Sequence, residues 1–218
     1  MSKLFIFDFD GTLFDTKKLV KQGLLDFSKE NSLPLPDVDL ICYGYSNPDI
    51  YDFGWGVNKG KQKELMDKAF IMISDRITNG IYIPEIFKNT KELLVALTNK
   101  GFTLSICTSR EKNATIKILE YYDIKKYFKL FKTRDDVILR NKKPKPSPEL
   151  IFETMEELGF NNNDTFIIGD TNADIEAGRN ANVKSIGVSW GYQGKEKLIE
   201  FKSDFIIDDF LEILNLVY

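Results

Sequence analysis

The stretch Leu4-Phe5-Ile6-Phe7-Asp8-Phe9-Asp10-Gly11-Thr12-Leu13 decides the fold. Its first four residues form a short apolar run without helical period, which predicts a strand buried on both faces. Two carboxylates come directly after it, and Gly11 then turns the chain. Side chains alternate along an extended chain, so Asp8 and Asp10 point the same way. Two like charges at one strand tip repel each other unless a cation lies between them. The local alternative is an ordinary turn in which one aspartate simply caps a helix.

Outward from this strand the pattern repeats. Phe102 to Cys107, Thr165 to Ile168 and Lys184 to Val188 are apolar and rich in strand-forming residues, and Phe205 to Ile207 reads as a last, shorter strand. Between them lie three amphipathic stretches: Glu85 to Lys100 ending at Gly101, Glu111 to Tyr122, and Pro148 to Leu158 with Ser147 as N-cap and Gly159 just past the end. Alternating strands and helices predict an α/β fold, a Rossmann-like parallel sheet with helices on both faces. In such sheets ligands bind at the carboxyl ends of the strands.

Residues 16–83 break the alternation. Two helix-like segments, about 16–30 and 60–79, occur there with no convincing strand. In the second, Leu65, Met66, Ala69, Phe70, Ile73 and Ile77 fall at helical spacing and make one apolar face. The expected organisation is a core of residues 1–15 and 84–218 with a small α-helical cap domain, 16–83, inserted. The chain's 218 residues are long for one domain and short for two. Residues 31–60, rich in Gly, Pro, Asp, Asn and aromatics, carry no assignable element.

Composition narrows the chemistry. The chain has no histidine, which removes serine-histidine triads, histidine general bases and most zinc sites, and leaves carboxylates, hydroxyls and lysines. A net charge of -3 with the signs interleaved, and no basic stripe, argues against a nucleic acid partner. No apolar run approaches the span of a membrane. Cys42 and Cys107 lack metal-like spacing and the density of a secreted scaffold, so a reducing, cytoplasmic location is expected.

Three further stretches place polar residues just after strands. Thr108-Ser109-Arg110 offers hydroxyls that can donate to an anionic oxygen, although Ser109 also suits an N-cap. Lys143-Pro144-Lys145-Pro146-Ser147-Pro148 is a proline-stiffened loop that fixes where a lysine ammonium points. Gly169-Asp170-Thr171-Asn172-Ala173-Asp174 again sets two aspartates around a helix start, where Asp174 alone also suits a first turn. A parallel sheet brings all four stretches to one edge.

DFDGTL, a strand-end threonine, a K-P-x-P loop and GDxxxD, in this order, resemble the four signature motifs of the haloacid dehalogenase superfamily. The match covers Lys3 to about Val188, and the insertion after the first motif is similar to the helical cap of the phosphoglycolate-phosphatase and phosphoglucomutase branch. The resemblance implies Asp8 as nucleophile, Asp10 as general acid and base, Thr108 as a phosphate ligand and Lys145 as the charge-stabilising lysine, with Lys143 the alternative. It implies phosphate contacts from Gly11, Thr108, Ser109, Arg110 and Lys145. It further implies Mg²⁺ held by Asp8, Asp10 and Asp170, with Asp174 supporting the metal or orienting Lys145.

The expected activity is Mg²⁺-dependent hydrolysis of a small phosphate monoester on a phosphorylated metabolite, through an aspartyl-phosphate. An aspartate at position 10 favours phosphate esters over halides, since an alkoxide needs a proton to leave and a halide does not. A phosphomutase and a non-catalytic phosphate-binding protein on the same fold are the alternatives. The inserted module would act as a lid, with Tyr43, Tyr45, Trp55, Lys59, Lys61 and Arg76 as candidate substrate contacts. The sequence leaves the oligomeric state open.

Overall fold

A computed structural model describes residues 2–37, 55, 57 and 59–216, the side chain of Lys59 excepted. The chain divides into two compact units, residues 1–15 with 85–218, and residues 16–84.

The larger unit is built on six parallel strands. In chain order they are β1 (Leu4–Phe7), β4 (Thr103–Cys107), β5 (Phe128–Lys132), β6 (Thr165–Gly169), β7 (Lys184–Val188) and β8 (Phe205–Ile207). Across the sheet the order is β5-β4-β1-β6-β7-β8. The N-terminal strand therefore lies in the middle, with Phe7 level with Ile106 on one side and Ile168 on the other. That register explains its continuous apolar run, since Leu4, Phe5, Ile6 and Phe7 are all fully buried. Leu4 and Ile6 join one core layer with Leu150, Ile151, Met155, Ala177 and Val183. Phe5 and Phe7 point the other way and meet Phe102, Phe166, Phe128 and Phe210. Each such side chain contributes about 1.5–3 kcal/mol through burial, so β1 is held from both faces and its C-terminal tip is a rigid platform.

The expected strands are present, and β5 is an addition to them. Phe128-Lys129-Leu130-Phe131-Lys132 pairs with β4 at the sheet edge, and its two lysines hide it from a reading based on apolar runs. Lys132 is nonetheless buried, with its ammonium between Glu153 (3.3 Å) and Glu157 (2.5 Å). The stretch 85–100 is also corrected. Glu85–Ile86 is a short strand, β3, antiparallel to β2 (Phe14–Asp15), and the helix α3 runs only over Thr90–Asn99. The Phe87 amide continues the hairpin by donating to the Leu13 carbonyl at 3.0 Å, and Asn89 adopts a left-handed φ of 63° that starts the helix afresh.

The remaining helices of this unit are α4 (Lys112–Tyr121), α5 (Arg134–Leu139), α6 (Glu149–Leu158), α7 (Asn172–Asn180), α8 (Gly194–Glu200) and α9 (Ile213–Leu216). Glu111 occupies the N-cap of α4, so Ser109 does not cap it. Pro148 holds that position for α6, with Ser147 Oγ accepting a long bond of 3.4 Å from the Glu149 amide, and Gly159 ends the helix at φ 73°.

Within residues 16–84, α1 (Lys17–Glu30) and α2 (Lys59–Thr78) pack together. Leu65, Met66, Ala69, Ile73 and Ile77 form the buried face, as their spacing predicts, and Phe70 is half-buried. No helix among the described residues is long and apolar enough to cross a membrane.

Candidate active site

Parallel strands end at one edge of the sheet, and the polar stretches meet there. Asp8 follows β1 and is fixed by its own amide, which donates to the Ile168 carbonyl at 2.8 Å. Thr108 follows β4, is buried, and is fixed in the same way by the Lys132 carbonyl at 2.9 Å. Asp170 follows β6, and Asp174 lies in the first turn of α7.

Lys145 joins three of the four stretches. Its ammonium donates to Asp8 Oδ1 at 2.5 Å, to Asp174 Oδ1 at 2.6 Å and to the Cys107 carbonyl at 3.0 Å. An ammonium has three protons, and each has an acceptor. Lys143 is exposed, so the structure places Lys145 in the site and Lys143 outside it. Asp174 is held from its other oxygen, which accepts from the Thr171 amide at 3.1 Å and hydroxyl at 2.7 Å in a capping box. The local cap and the distant lysine thus use the same carboxylate.

Asp170 is fully buried and doubly held. Thr12 Oγ1 donates to Oδ1 at 3.0 Å and the Tyr192 amide to Oδ2 at 2.7 Å. Two glycines make room for it. A side chain at Gly11, whose φ is +77°, would collide with Asp170 and the Tyr192 ring, and one at Gly191 would collide with Asp170 itself.

The segment from Ser189 to Gln193, after β7, is therefore a fifth part of the site that the sequence reading missed. Trp190 Nε1 donates to the Thr12 carbonyl at 3.1 Å, and Gln193 Oε1 accepts from the Asn172 amide at 2.7 Å. The available signal was positional: this is one more polar loop after one more parallel strand.

Asp10 takes a different course. Both of its oxygens accept from Arg110 Nε at 3.1 Å, and Oδ1 also accepts from Nη2 at 2.5 Å. The carboxylates that converge are instead Asp8, Asp170 and Asp174, with oxygens within 4.8 Å of one another. Ser109 is exposed at the rim.

The electrostatics follow from this crowding. Burial pushes the Asp8 carboxyl up to about 7; Lys145 pulls it down, while Asp174 and Asp10 push it further up. Burial likewise raises Asp170 well above the carboxylate range, with Asp8 and Asp174 adding to the effect. For Lys145 burial acts to lower the value, but Asp174 and Asp8 outweigh it and hold the ammonium above its ordinary range. Cys107, also buried, is pushed up to about 11, which keeps its thiol protonated and inert.

These residues fit a divalent cation. Three buried carboxyls face one ammonium, and once all three are ionised the excess would equal the charge of one such ion. The donors are hard oxygens, which suit Mg²⁺. Asp8 and Asp170 are the pair that would hold it, because the donors on Asp170 are neutral, the Thr12 hydroxyl and the Tyr192 amide, whereas Asp174 is committed to the Lys145 ammonium and to its own capping box.

Of the lid candidates, Tyr43 and Tyr45 and the side chain of Lys59 lie outside the described residues. Trp55 is buried, with Nε1 donating to Ser28 Oγ at 2.6 Å. Lys61 pairs with Glu64 at 3.2 Å, and Arg76 pairs with Asp26 at 2.9 Å and with Glu30. These three make internal contacts of residues 16–84.

Residues 5–188 match the family of haloacid dehalogenase-like hydrolases. The chain belongs to that family, as its four motifs suggest, and is a hydrolase on an α/β core. It is 31% identical to a phosphoglycolate phosphatase of Aquifex aeolicus, over 87% of this chain and 86% of the relative. It is 27% identical to the pyrophosphatase PpaX of Oceanobacillus iheyensis, over 97% of this chain and 95% of the relative. Among solved structures, that of a predicted phosphoglycolate phosphatase from Haemophilus somnus shares the fold with a TM-score of 0.84, at 22% identity over 100% of this chain and 98% of the other.

Proposed function

We propose that this hydrolase is a phosphatase that cleaves a small phosphate monoester on a phosphorylated metabolite by transferring the phosphoryl group to Asp8. The observation that carries the reading is the seating of Lys145 between Asp8 and Asp174, with Asp170 in the same buried cluster. That arrangement exposes a carboxylate to an incoming anion only where positive charge has been set in place beforehand.

Asp8 is the nucleophile. Its oxygen attacks phosphorus, the ester oxygen leaves, and water then releases phosphate from the acyl phosphate and regenerates the carboxylate. Lys145 neutralises charge as the nucleophile and the phosphoryl oxygens approach, and Asp174 holds it on target. Thr108 and the chain around Gly11 contribute donors to the phosphoryl oxygens. Asp10 gives a proton to the leaving oxygen and later takes one from water. Asp8 and Asp170 would hold Mg²⁺, which when bound would supply further neutralisation of the phosphoryl charge. Residues 16–84 serve as the cap that chooses the leaving group and excludes water, and the enzyme works in the cytoplasm.

Phosphoglycolate, a monoester, and inorganic pyrophosphate, an anhydride open to the same attack with phosphate leaving, are the substrates to try first, since relatives similar over most of the chain carry those activities in their names. The test is a panel of phosphorylated metabolites incubated with Mg²⁺ and, separately, with a chelator, with free phosphate measured in each. The wild type releases phosphate only with the metal, and Asp8→Asn releases none. Normal release by Asp8→Asn rejects the assignment, and isomerised sugar phosphates without free phosphate identify a mutase instead.

A further inference from the structure

The pairing of Asp10 with Arg110 has no part in that chemistry as it stands. Both oxygens of this carboxylate accept from one guanidinium, so its use on a leaving oxygen requires that hold to loosen. The pair is also well shielded, with side chains 15% and 10% exposed, so it does not part for want of a better partner.

Arg110 is also anchored through its backbone. Its amide donates to Thr108 Oγ1 at 3.1 Å, and its carbonyl accepts from the Arg134 amide at 3.0 Å. The guanidinium rests over the Phe9 ring, 5.8 Å from the centroid. The main chain is thereby tied to the phosphate-facing loop, while the side chain is long enough to exchange one anion for another. A guanidinium fork matches a carboxylate or a phosphate, and a neutral hydroxyl cannot replace either.

From this we infer that Arg110 is a specificity-determining residue that admits substrates whose leaving group itself carries an anion. The anion on the leaving group takes the guanidinium, and Asp10 is released toward the leaving oxygen. An ester with a neutral leaving group leaves the pair closed. Two sources share this chemistry: a second phosphoryl group, as in pyrophosphate, and a carboxylate next to the ester carbon, as in phosphoglycolate. The inference rests on the phosphatase reading and narrows its substrate class.

The test compares kcat/KM for pyrophosphate, phosphoglycolate and phosphoglycolamide, in which a neutral amide replaces the carboxylate. The enzymes are the wild type, Arg110→Gln and Arg110→Lys, all with Mg²⁺. The wild type prefers at least one anionic substrate over the amide, and whichever it prefers identifies the source. Arg110→Gln shrinks that preference by roughly 10- to 100-fold, the worth of a charge-assisted bond, and Arg110→Lys restores part of it. Methylenediphosphonate, used as a non-hydrolysable analogue of pyrophosphate, loses affinity relative to inorganic phosphate in the same order. Partial misfolding scales all substrates alike and cancels in the ratio, and should Arg110→Gln not fold at all, Arg110→Lys carries the comparison.

An equal loss on all three substrates in both variants overturns the inference, as does a wild type indifferent to the leaving-group charge. Failure of the wild type to hydrolyse any of them, or an aryl phosphate, removes the phosphatase reading itself.

Discussion

The two units of this chain handle charge in opposite ways. At the strand tips of the larger unit, Asp8, Asp174 and Lys145 have side chains 10%, 2% and 7% exposed, and the carboxylates outnumber the ammonium. Within residues 16–84, Arg76 is matched by Asp26 and Glu30, and Tyr82 donates to Asp26, on side chains that solvent reaches. The first arrangement is costly to fold around and is resolved only by a cation or a substrate. The second also has one carboxylate in surplus, but solvent screens it and it needs nothing further. Surplus charge that is buried therefore marks chemistry here, and surplus charge within reach of solvent marks architecture.

Removing the central cation of each unit separates the two most sharply. Lys145→Met lowers kcat by roughly 10³-fold, the worth of a preorganised charge on a developing anion, measured as phosphate release under saturating Mg²⁺. A loss under tenfold would place the neutralising charge elsewhere. Next in size is the response to metal. Mg²⁺ at about 100 times its dissociation constant stabilises the wild type by about 2.7 kcal/mol, and Asp170→Asn removes most of the gain in thermal unfolding. The same addition leaves the Arg76 network unmoved, since solvent screens its one surplus carboxylate.

Arg76→Met is a smaller perturbation, costing about 1 kcal/mol or less, read from denaturant unfolding monitored through Trp55 fluorescence in an otherwise tryptophan-free background. A cost several times larger would show that this network, too, is desolvated. The smallest effect is acid sensitivity. The hydrogen bond from Tyr82 is the main reason Asp26 titrates below its ordinary 3.8; burial opposes the shift, while Gln22 and Arg76 reinforce it. A depressed folded value means that the contribution is full above about 3.8 and is lost as pH falls through the lower, folded value. Asp26→Asn flattens the stability profile of residues 16–84 in that window, and an unchanged slope would contradict the assignment.

The same contrast explains what was legible in the sequence. β1, β4, β6 and β7 announce themselves because a strand buried on both faces must be apolar throughout, and the polar residues that end them mark the site. β5 escaped because Lys132, though buried, reads as a surface lysine until Glu153 and Glu157 come into view from α6. The loop around Trp190 and Tyr192 escaped because it acts through a backbone amide and a glycine, which have no charged signature. The start of α3 was misplaced because Glu85–Ile86 is drawn into a hairpin with residues far earlier in the chain. Asp10 was read with Asp8 because both come after one strand, whereas its partner Arg110 lies 100 residues away. Local pattern thus conveyed the frame, and the pairings between distant charges needed the folded chain.

The central claim is tested most directly by acid-quenching the enzyme during turnover with Mg²⁺ and substrate, then locating the phosphoryl group by peptide mass spectrometry. The account predicts a labile acyl phosphate on Asp8 in the wild type and none in Asp8→Asn. A phosphoryl group on any other residue, or undiminished turnover in Asp8→Asn, would contradict it.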